Sequence, residues 1–339
     1  MENIINFFNN LFNKKPIQNK DIFALGAIPN EPDNRDIRYE EVVGLADLSY
    51  PSKITVPNFL ETQRLMQGNL GTCVEHAFEF IKRVEDGIFH SRRIPYCITR
   101  NEMGWAENDP QGLPQREAAK VASIVGTPKD KGFDNNSLSH KLYASLFITQ
   151  EMRDEANIYR FGGFSFPDIT ENGIKQALAN GKLVAVTIAI DWSQIDADGT
   201  VHPVKNQCAG YHEVVIGQSD DLTGKFRCAN WWSIGDLYLQ YDEIENIIVD
   251  AIVFDDIPED LILRAKQTPF IFTKTMKLGD NSNSVLQLQK TLALFDLYNS
   301  SFDRNFGKKT LQAVKDYQRI KGLCVDGIVG PKTRELLNN

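Results

Sequence analysis

Apolar residues at 74, 77, 78, 81 and 84 recur at the spacing of one helix face, and Gly87 closes the run. Arg116–Val125 also has helical character, as does Glu171–Asn180, which ends at Gly181. The pattern then changes period. Leu183–Ile190 alternates and is β-branched, which predicts a strand, and Asp198-Gly199 marks a turn. Val214–Gly217 forms an apolar run opened by His212, and Phe226–Ala229 and Leu237–Leu239 supply further short strands. Helices come first and an antiparallel strand set follows, so the fold class expected is α+β.

A second change of pattern lies near the C-terminus. Asp255–Lys274 carries Pro258 and Pro269 and reads as a connector. Beyond it, Val285, Leu286, Leu288, Leu292, Leu294 and Phe295 mark one amphipathic helix, and Thr310–Ile320 marks a second. Pro331–Leu337 reads as a short third helix with proline at its start. Asp326-Gly327 and Gly330 provide the turns. The organisation expected is therefore an N-terminal extension (1–20), a large α+β domain (21–257), a linker (258–275) and a small all-α domain (276–339). In the extension, Ile4, Ile5, Phe7, Phe8, Leu11 and Phe12 fall near helical spacing. It lacks the features of a secretory signal. Two readings stand for it, packing on protein and contact with a membrane surface. Ala27–Tyr39 is rich in Pro, Asn and Asp and reads as an extended lead-in.

Composition narrows the class. The chain has 339 residues, 42% of them hydrophobic and 24% charged, as soluble globular proteins do. No stretch reaches the length of apolar sequence that a membrane span needs, so stable insertion is not expected. A net charge of −8 argues against a general nucleic-acid binder. Residues 274–339 hold 11 Lys/Arg against 6 Asp/Glu, which puts +5 there and leaves −13 on residues 1–273. A basic small domain suits a polyanionic surface, and a solvated basic face is the plain alternative. The five cysteines (Cys73, Cys97, Cys208, Cys228 and Cys324) show neither metal-ligand spacing nor a disulfide framework. No metal or organic cofactor is expected.

Candidate chemistry begins at Gln67-Gly68-Asn69-Leu70-Gly71-Thr72-Cys73, which places a thiol where a helix starts. Unpaired backbone N–H groups and the positive end of the helix dipole favour the thiolate there. The side chain of Gln67 and the backbone N–H of Cys73 would make two donors for a developing oxyanion. A nucleophilic thiol needs an imidazole as base and a third group to orient it. His212 and Asn230 are the candidates: an Asn oxygen accepts from an imidazole N–H, and a neighbouring tryptophan shields that bond from water. His76 sits one helical turn beyond Cys73 on the same helix and reads as a packed residue. His90, His140 and His202 lie in polar surroundings and read as ordinary.

Together these motifs resemble the papain-like cysteine peptidases over roughly residues 21–257. The family's Gln-Gly-x-x-Gly-Ser-Cys appears at Gln67–Cys73, its Gly-His-Ala at Tyr211-His212-Glu213, and its Asn-Ser-Trp-Gly at Asn230-Trp231-Trp232-Ser233. His212 and Asn230 follow Cys73 by 139 and 157 residues; in papain and cathepsins the separations are about 130–150. The resemblance implies a two-lobed fold with the site between the lobes. It also implies that Cys73 acts as nucleophile, His212 as base, Asn230 as orienter and Gln67 as oxyanion donor, with Trp232, at the family tryptophan, in a substrate-contacting place. Gly112, in the turn-rich stretch 108–114, is the candidate for the backbone that holds an extended substrate, and a simple turn glycine is the other reading. Asp33-Asn34-Arg35-Asp36 resembles the opening of several stand-alone relatives. Val74 and Glu213 depart from the pattern, and the segment after Asn230 is short. The N-terminal extension is too short to be the family's inhibitory pro-region, so restraint by another route is expected.

Residues 276–338 resemble the three-helix peptidoglycan-binding module of cell-wall hydrolases. The resemblance rests on Leu278-Gly279-Asp280, Val285–Gln289, Phe306-Gly307, Thr310, Tyr317-Gln318 and Gly322–Pro331. The pairing implies a cysteine endopeptidase targeted to bacterial peptidoglycan, as in a phage lysin or virion-associated wall hydrolase. Such a protein is made in the cytoplasm and acts at the wall after lysis or from a virion, on peptide or protein. An inactive wall-binding or virion structural protein that keeps the fold is the alternative.

Overall fold

The computed structural model describes residues 25–44, 49–105, 112–134, 138–205 and 207–339. The helix expected within 1–20 lies outside the described residues, as do residues 108–111 of the turn-rich stretch. Among the described residues the strands are, in chain order, β1 (Ala27–Ile28), β2 (Lys53–Thr55), β3 (Leu113–Pro114), β4 (Gly163–Ser165), β5 (Val184–Ile190), β6 (Thr200–Val201), β7 (Gly210–Asp220), β8 (Lys225–Ala229), β9 (Leu237–Gln240) and β10 (Ile248–Asp255). The helices are α1 (Tyr39–Val43), α2 (Cys73–Asp86), α3 (Arg93–Glu102), α4 (Gln115–Ile124), α5 (His140–Ala144), α6 (Gln150–Ile158), α7 (Glu171–Ala179), α8 (Ile244–Ile247), α9 (Glu259–Gln267), α10 (Asn283–Leu294), α11 (Lys308–Ile320) and α12 (Pro331–Leu337).

The chain forms two compact units. One comprises residues 1–30, 37–100 and 106–258; the other comprises 31–36, 101–105 and 259–339. In the first unit the sheet runs β4-β10-β5-β7-β8-β9-β6. Its central pairs are antiparallel, as in Val186↔Val214 between β5 and β7 and Val215↔Ala229 between β7 and β8. β5 is buried along nearly its whole length (VAVTIAI), as a strand in the interior of the sheet, between β10 and β7, can be. β7 also receives two short strands, β2 at Gln218–Asp220 and β1 at Tyr211. Thus one long strand collects most of the unit's edges.

α2 starts at Cys73, and Gly87, in the left-handed conformation, caps it. Its buried residues include Val74, Ala77, Phe78, Ile81 and Val84, the stripe that the spacing predicts. It also buries Glu75, His76, Glu79 and Arg83, so the helix is enclosed nearly all round rather than on one face. Glu79 and Arg83 pair at 2.7 Å, one turn apart, which compensates two buried charges.

The second unit packs α10, α11 and α12 around Val285, Leu288, Leu292, Phe306, Val314, Tyr317 and Val329. Two buried glutamines fix its loops by the same device. Gln289 donates to Asp303, the Asn305 carbonyl and Thr310. Gln318 donates to Asp326, the Ile328 carbonyl and Thr333, and its own oxygen accepts from Gly327 N–H at 2.8 Å. The stretch expected as a connector differs from expectation: it contains α9, which begins just after Pro258, where a fixed φ suits a helix start.

Candidate active site

Cys73 is the first residue of α2 and is wholly enclosed. Burial, and next the charge that nearby Glu213 carries once it ionises, push its thiol up to about 12; backbone N–H groups of Glu213, Gly26 and Val74 oppose this. The helix N-terminus therefore does not produce a thiolate here. The expectation drawn from the dipole is corrected: desolvation of an ion inside protein outweighs a terminal dipole effect of about 0.3–2 kcal/mol.

His212 lies near the start of β7, where the sheet register sets it opposite Ile188. Its Nε2 donates to Asn230 Oδ1 at 2.9 Å. The Asn230 amide is oriented in turn, since its Nδ2 donates to the Gly235 carbonyl at 2.8 Å. Trp232 stacks on the imidazole with ring centres 3.7 Å apart and planes at 18°. Trp192 lies against Trp232 in turn, at 5.2 Å. The other ring nitrogen, Nδ1, is buried and bonded to nothing. Burial pushes the His212 pKa down to about 3, partly offset by the Asn230 bond, so the ring is neutral. A neutral imidazole with Nε2–H held by an amide oxygen presents Nδ1 as a lone pair, which is the form of a general base.

Gln67 is fully buried. Its Nε2 donates to the Leu70 carbonyl, and its backbone N–H donates to the Trp231 carbonyl at 3.0 Å. In this state its amide is turned onto its own loop. Trp232, expected from the resemblance at a substrate-contacting place, is 3% exposed and spends its face on His212. Gly112 stands beside Gly26 so closely that a Cβ on it would lie 1.5 Å from the Gly26 oxygen.

Glu213 has a larger role than its place in the motif suggested. It is completely buried beside the candidate residues. Thr187 Oγ1 and Gln115 Nε2 donate to its two oxygens, and its backbone carbonyl accepts from Trp231 Nε1 at 2.9 Å. Neither side-chain partner is a cation. Burial pushes its pKa up to about 8, against those two hydrogen bonds, so the carboxyl is protonated at neutral pH. The signal was available in the sequence as a carboxylate directly after the histidine; its partners Gln115 and Thr187 were not.

His76 and His90 are packed into the fold. His76 Nδ1 bonds its own helix at the Thr72 carbonyl, 2.8 Å away, which fits the packed role expected. His90, expected in a polar setting, is instead buried, held by the Thr127 carbonyl at 2.7 Å and by Asp86. The five cysteines are free, with Cys324 exposed. Among the described residues, no group of three or more His, Cys, Asp or Glu side chains is placed to hold a metal ion, and no helix is long and apolar enough to cross a membrane. In the second unit, Gln318, Leu323, Cys324, Asp326, Ile328 and Lys332 help line a cavity of about 350 Å³.

Comparison with known proteins matches this geometry at the level of fold. The structure is similar to Xylellain, a cysteine protease from Xylella fastidiosa, with a TM-score of 0.60 and 22% identity over 72% of this chain and all of that one. It is also similar to digestive procathepsin L 3 of Tenebrio molitor, with a TM-score of 0.50 and 14% identity over 75% of this chain and 86% of that one. The fold is therefore papain-like. Residues 281–337 match the family described as "Putative peptidoglycan binding domain". A stretch of 59 residues is 39% identical to a spore cortex-lytic enzyme of Halalkalibacterium halodurans. That match covers 17% of this chain and 18% of the relative, so the chain spans under a fifth of the curated relative it matches. The chain thus joins a papain-like fold to a C-terminal domain of the peptidoglycan-binding kind.

Proposed function

We propose that the chain is a cysteine endopeptidase that works at the bacterial cell wall, in the manner of a phage lysin or virion-associated wall hydrolase. The observation that carries this reading is His212: its imidazole is neutral, oriented by Asn230, stacked by Trp232, and left with one unbonded buried nitrogen. In the reaction, His212 Nδ1 takes the proton of Cys73, and the sulfur attacks a peptide carbonyl to give an acyl-enzyme. The Cys73 N–H and a re-turned Gln67 amide hold the oxyanion. His212 then protonates the leaving amine, and water releases the acyl group. The C-terminal domain keeps the peptidase at the wall and raises its local concentration there.

The test compares the wild-type chain and Cys73→Ala on purified sacculi and on a denatured protein, reading new amino termini. New termini with the wild type alone support the reading, and cleavage retained by Cys73→Ala contradicts it. Both proteins should sediment with sacculi, and removal of 276–339 should abolish that. The second reading is a wall-binding protein with an inert peptidase fold. The complete enclosure of Cys73 as a neutral thiol favours it.

A further inference from the structure

One carboxylate ties together the two stretches that carry Gln67 and Asn230. Asp236 accepts from Arg64 Nε at 3.0 Å and from Arg64 Nη2 at 3.1 Å, one bond to each of its oxygens, and from Arg227 Nε on β8 at 2.8 Å. The Asp236 side chain is 10% exposed and that of Arg64 16%, so the pair is largely out of water. The remaining Arg64 nitrogen, Nη1, donates to the Phe59 and Thr62 carbonyls, each at 2.7 Å. The guanidinium lies over the rings of Phe59 and Phe80, 4.8 and 5.1 Å from their centres. Phe80 belongs to α2, the helix that Cys73 opens. A forked, charge-assisted pair whose cation is stacked on aromatic rings holds one geometry.

That geometry reaches the imidazole through one carbonyl. The Gly235 oxygen accepts from Asn230 Nδ2 at 2.8 Å, and Asn230 Oδ1 accepts from His212 Nε2 at 2.9 Å. Gly235 has φ 90°, which glycine adopts without strain and leaves as easily. No neighbour lies within 4 Å of where its Cβ would be. Its N–H bonds the Trp232 carbonyl at 3.3 Å, which holds the peptide before it and not the carbonyl after it. The Gly235–Asp236 peptide is therefore aimed from its far side, where Asp236 is clamped. The stretch that provides Arg64 leads on to Gln67, whose N–H donates to the Trp231 carbonyl at 3.0 Å. Residues 59–67 and 230–236 thus meet at two points, Trp231 and Asp236.

We propose that Asp236 is a positioning residue for the peptidase reaction: its clamp on Arg64 and Arg227 aims the Gly235 carbonyl, which holds the Asn230 amide and through it the His212 ring. The effect on rate rests on the peptidase reading, and the effect on His212 does not. The clamp lies in the short segment after Asn230, where the chain departs from the papain-like pattern. Without the carboxylate, two guanidinium groups lose their anion and the peptide after Gly235 is free to turn. Asn230 then loses the acceptor that orients it, and its Oδ1 leaves the line of the His212 Nε2–H bond. A displacement of about 1 Å at such a place costs a reaction about 100-fold.

The test uses the full chain, Asp236→Ala, Asn230→Ala and the double variant, with folding checked by circular dichroism. The first readout is the His212 Nε2 proton in the NMR spectrum, identified by its absence from His212→Ala. The clamp predicts that this proton exchanges with water about 10-fold faster in Asp236→Ala. The second readout is the rate at which an epoxide inhibitor of papain-like peptidases modifies Cys73, followed by mass mapping. Epoxide opening forms no tetrahedral oxyanion, so this rate reads the thiol and imidazole and not Gln67. Asp236→Ala should lower the maximal rate about 10–100-fold, with the half-saturating inhibitor concentration changed by less than about 3-fold. Where Asn230 is already alanine, it should lower that rate by less than about 2-fold. Should Asp236→Ala fail to fold, Asp236→Asn keeps the size and loses the charge, and is expected to move both readouts the same way by about 3-fold. An unmoved His212 proton in a folded variant overturns the proposal, and so does an equal loss of rate with and without Asn230. A moved proton beside a wild type whose Cys73 does not react leaves the clamp standing and counts against the peptidase reading instead.

Discussion

At the scale of single residues, the site is a set of neutral groups held out of water. His212 is neutral because it is buried, and Glu213 is protonated for the same reason. The proposed roles rank the losses. His212→Ala should lower kcat/KM by about 10³-fold or more, as loss of a general base does. Asn230→Ala should cost less, since it disturbs only orientation; the reverse order of the two rates would contradict the roles assigned. Glu213 makes a second prediction, on stability. Its folded pKa, about 8, is raised above its ordinary value, so it contributes stability at low pH that is lost as pH rises through the folded pKa. His212 shifts the other way, and its contribution is complete above its ordinary value of about 6.5. Between pH 6.5 and 8, Glu213 should therefore cost the wild type about 2 kcal/mol that Glu213→Gln does not lose. Chemical denaturation of both proteins at the two pH values checks this, and parallel losses would refute it. The sequence showed Cys73, His212 and Asn230 as candidates because motif and spacing mark them. It did not show that burial reverses the helix-terminus effect on Cys73, because enclosure is set by residues far away in sequence.

At the scale of elements, β7 is the member on which the candidate site depends. It carries His212 and Glu213, pairs with β5 and β8 along its length, and takes β1 and β2 at its two ends. Its existence was legible from the apolar run at 214–217, and so were α2, α7, β5 and the three C-terminal helices. β1 was not, because Ala27-Ile28 pairs through backbone and leaves no side-chain pattern to read. α9 was missed because the prolines on either side of it suggested a linker. In the second unit, Gln289 and Gln318 read as ordinary polar helix positions, yet each satisfies a loop and the following helix start. Asp303 and Asp326 precede Thr310 and Thr333 by the same interval, which is why one device serves twice. Gln318→Ala leaves Gly327 N–H and the Thr333 hydroxyl without this partner, and should destabilise the second unit by about 2–3 kcal/mol. Urea unfolding followed by a probe in residues 259–339 measures it; a change under about 0.5 kcal/mol would place the loops' support elsewhere.

At the scale of the whole molecule, a papain-like unit and a peptidoglycan-binding domain share one chain of opposite charge balance, −13 on residues 1–273 and +5 on 274–339. If the basic domain meets an anionic wall, sedimentation with sacculi should weaken as salt rises from about 0.05 to 0.5 M, because exposed charges are screened within a few ångströms at the higher value. Salt-independent binding would point to shape and hydrogen bonding instead, with the 350 Å³ cavity as the place to look. The central claim is an activated thiol at Cys73 that depends on His212. Its most direct test is reaction of the full-length protein with an epoxide inhibitor of papain-like peptidases, with mass mapping, beside the same protein carrying His212→Ala. The account predicts a single adduct on Cys73 that the substitution removes. An adduct of equal rate without His212, or none on a folded and reduced protein, would contradict it.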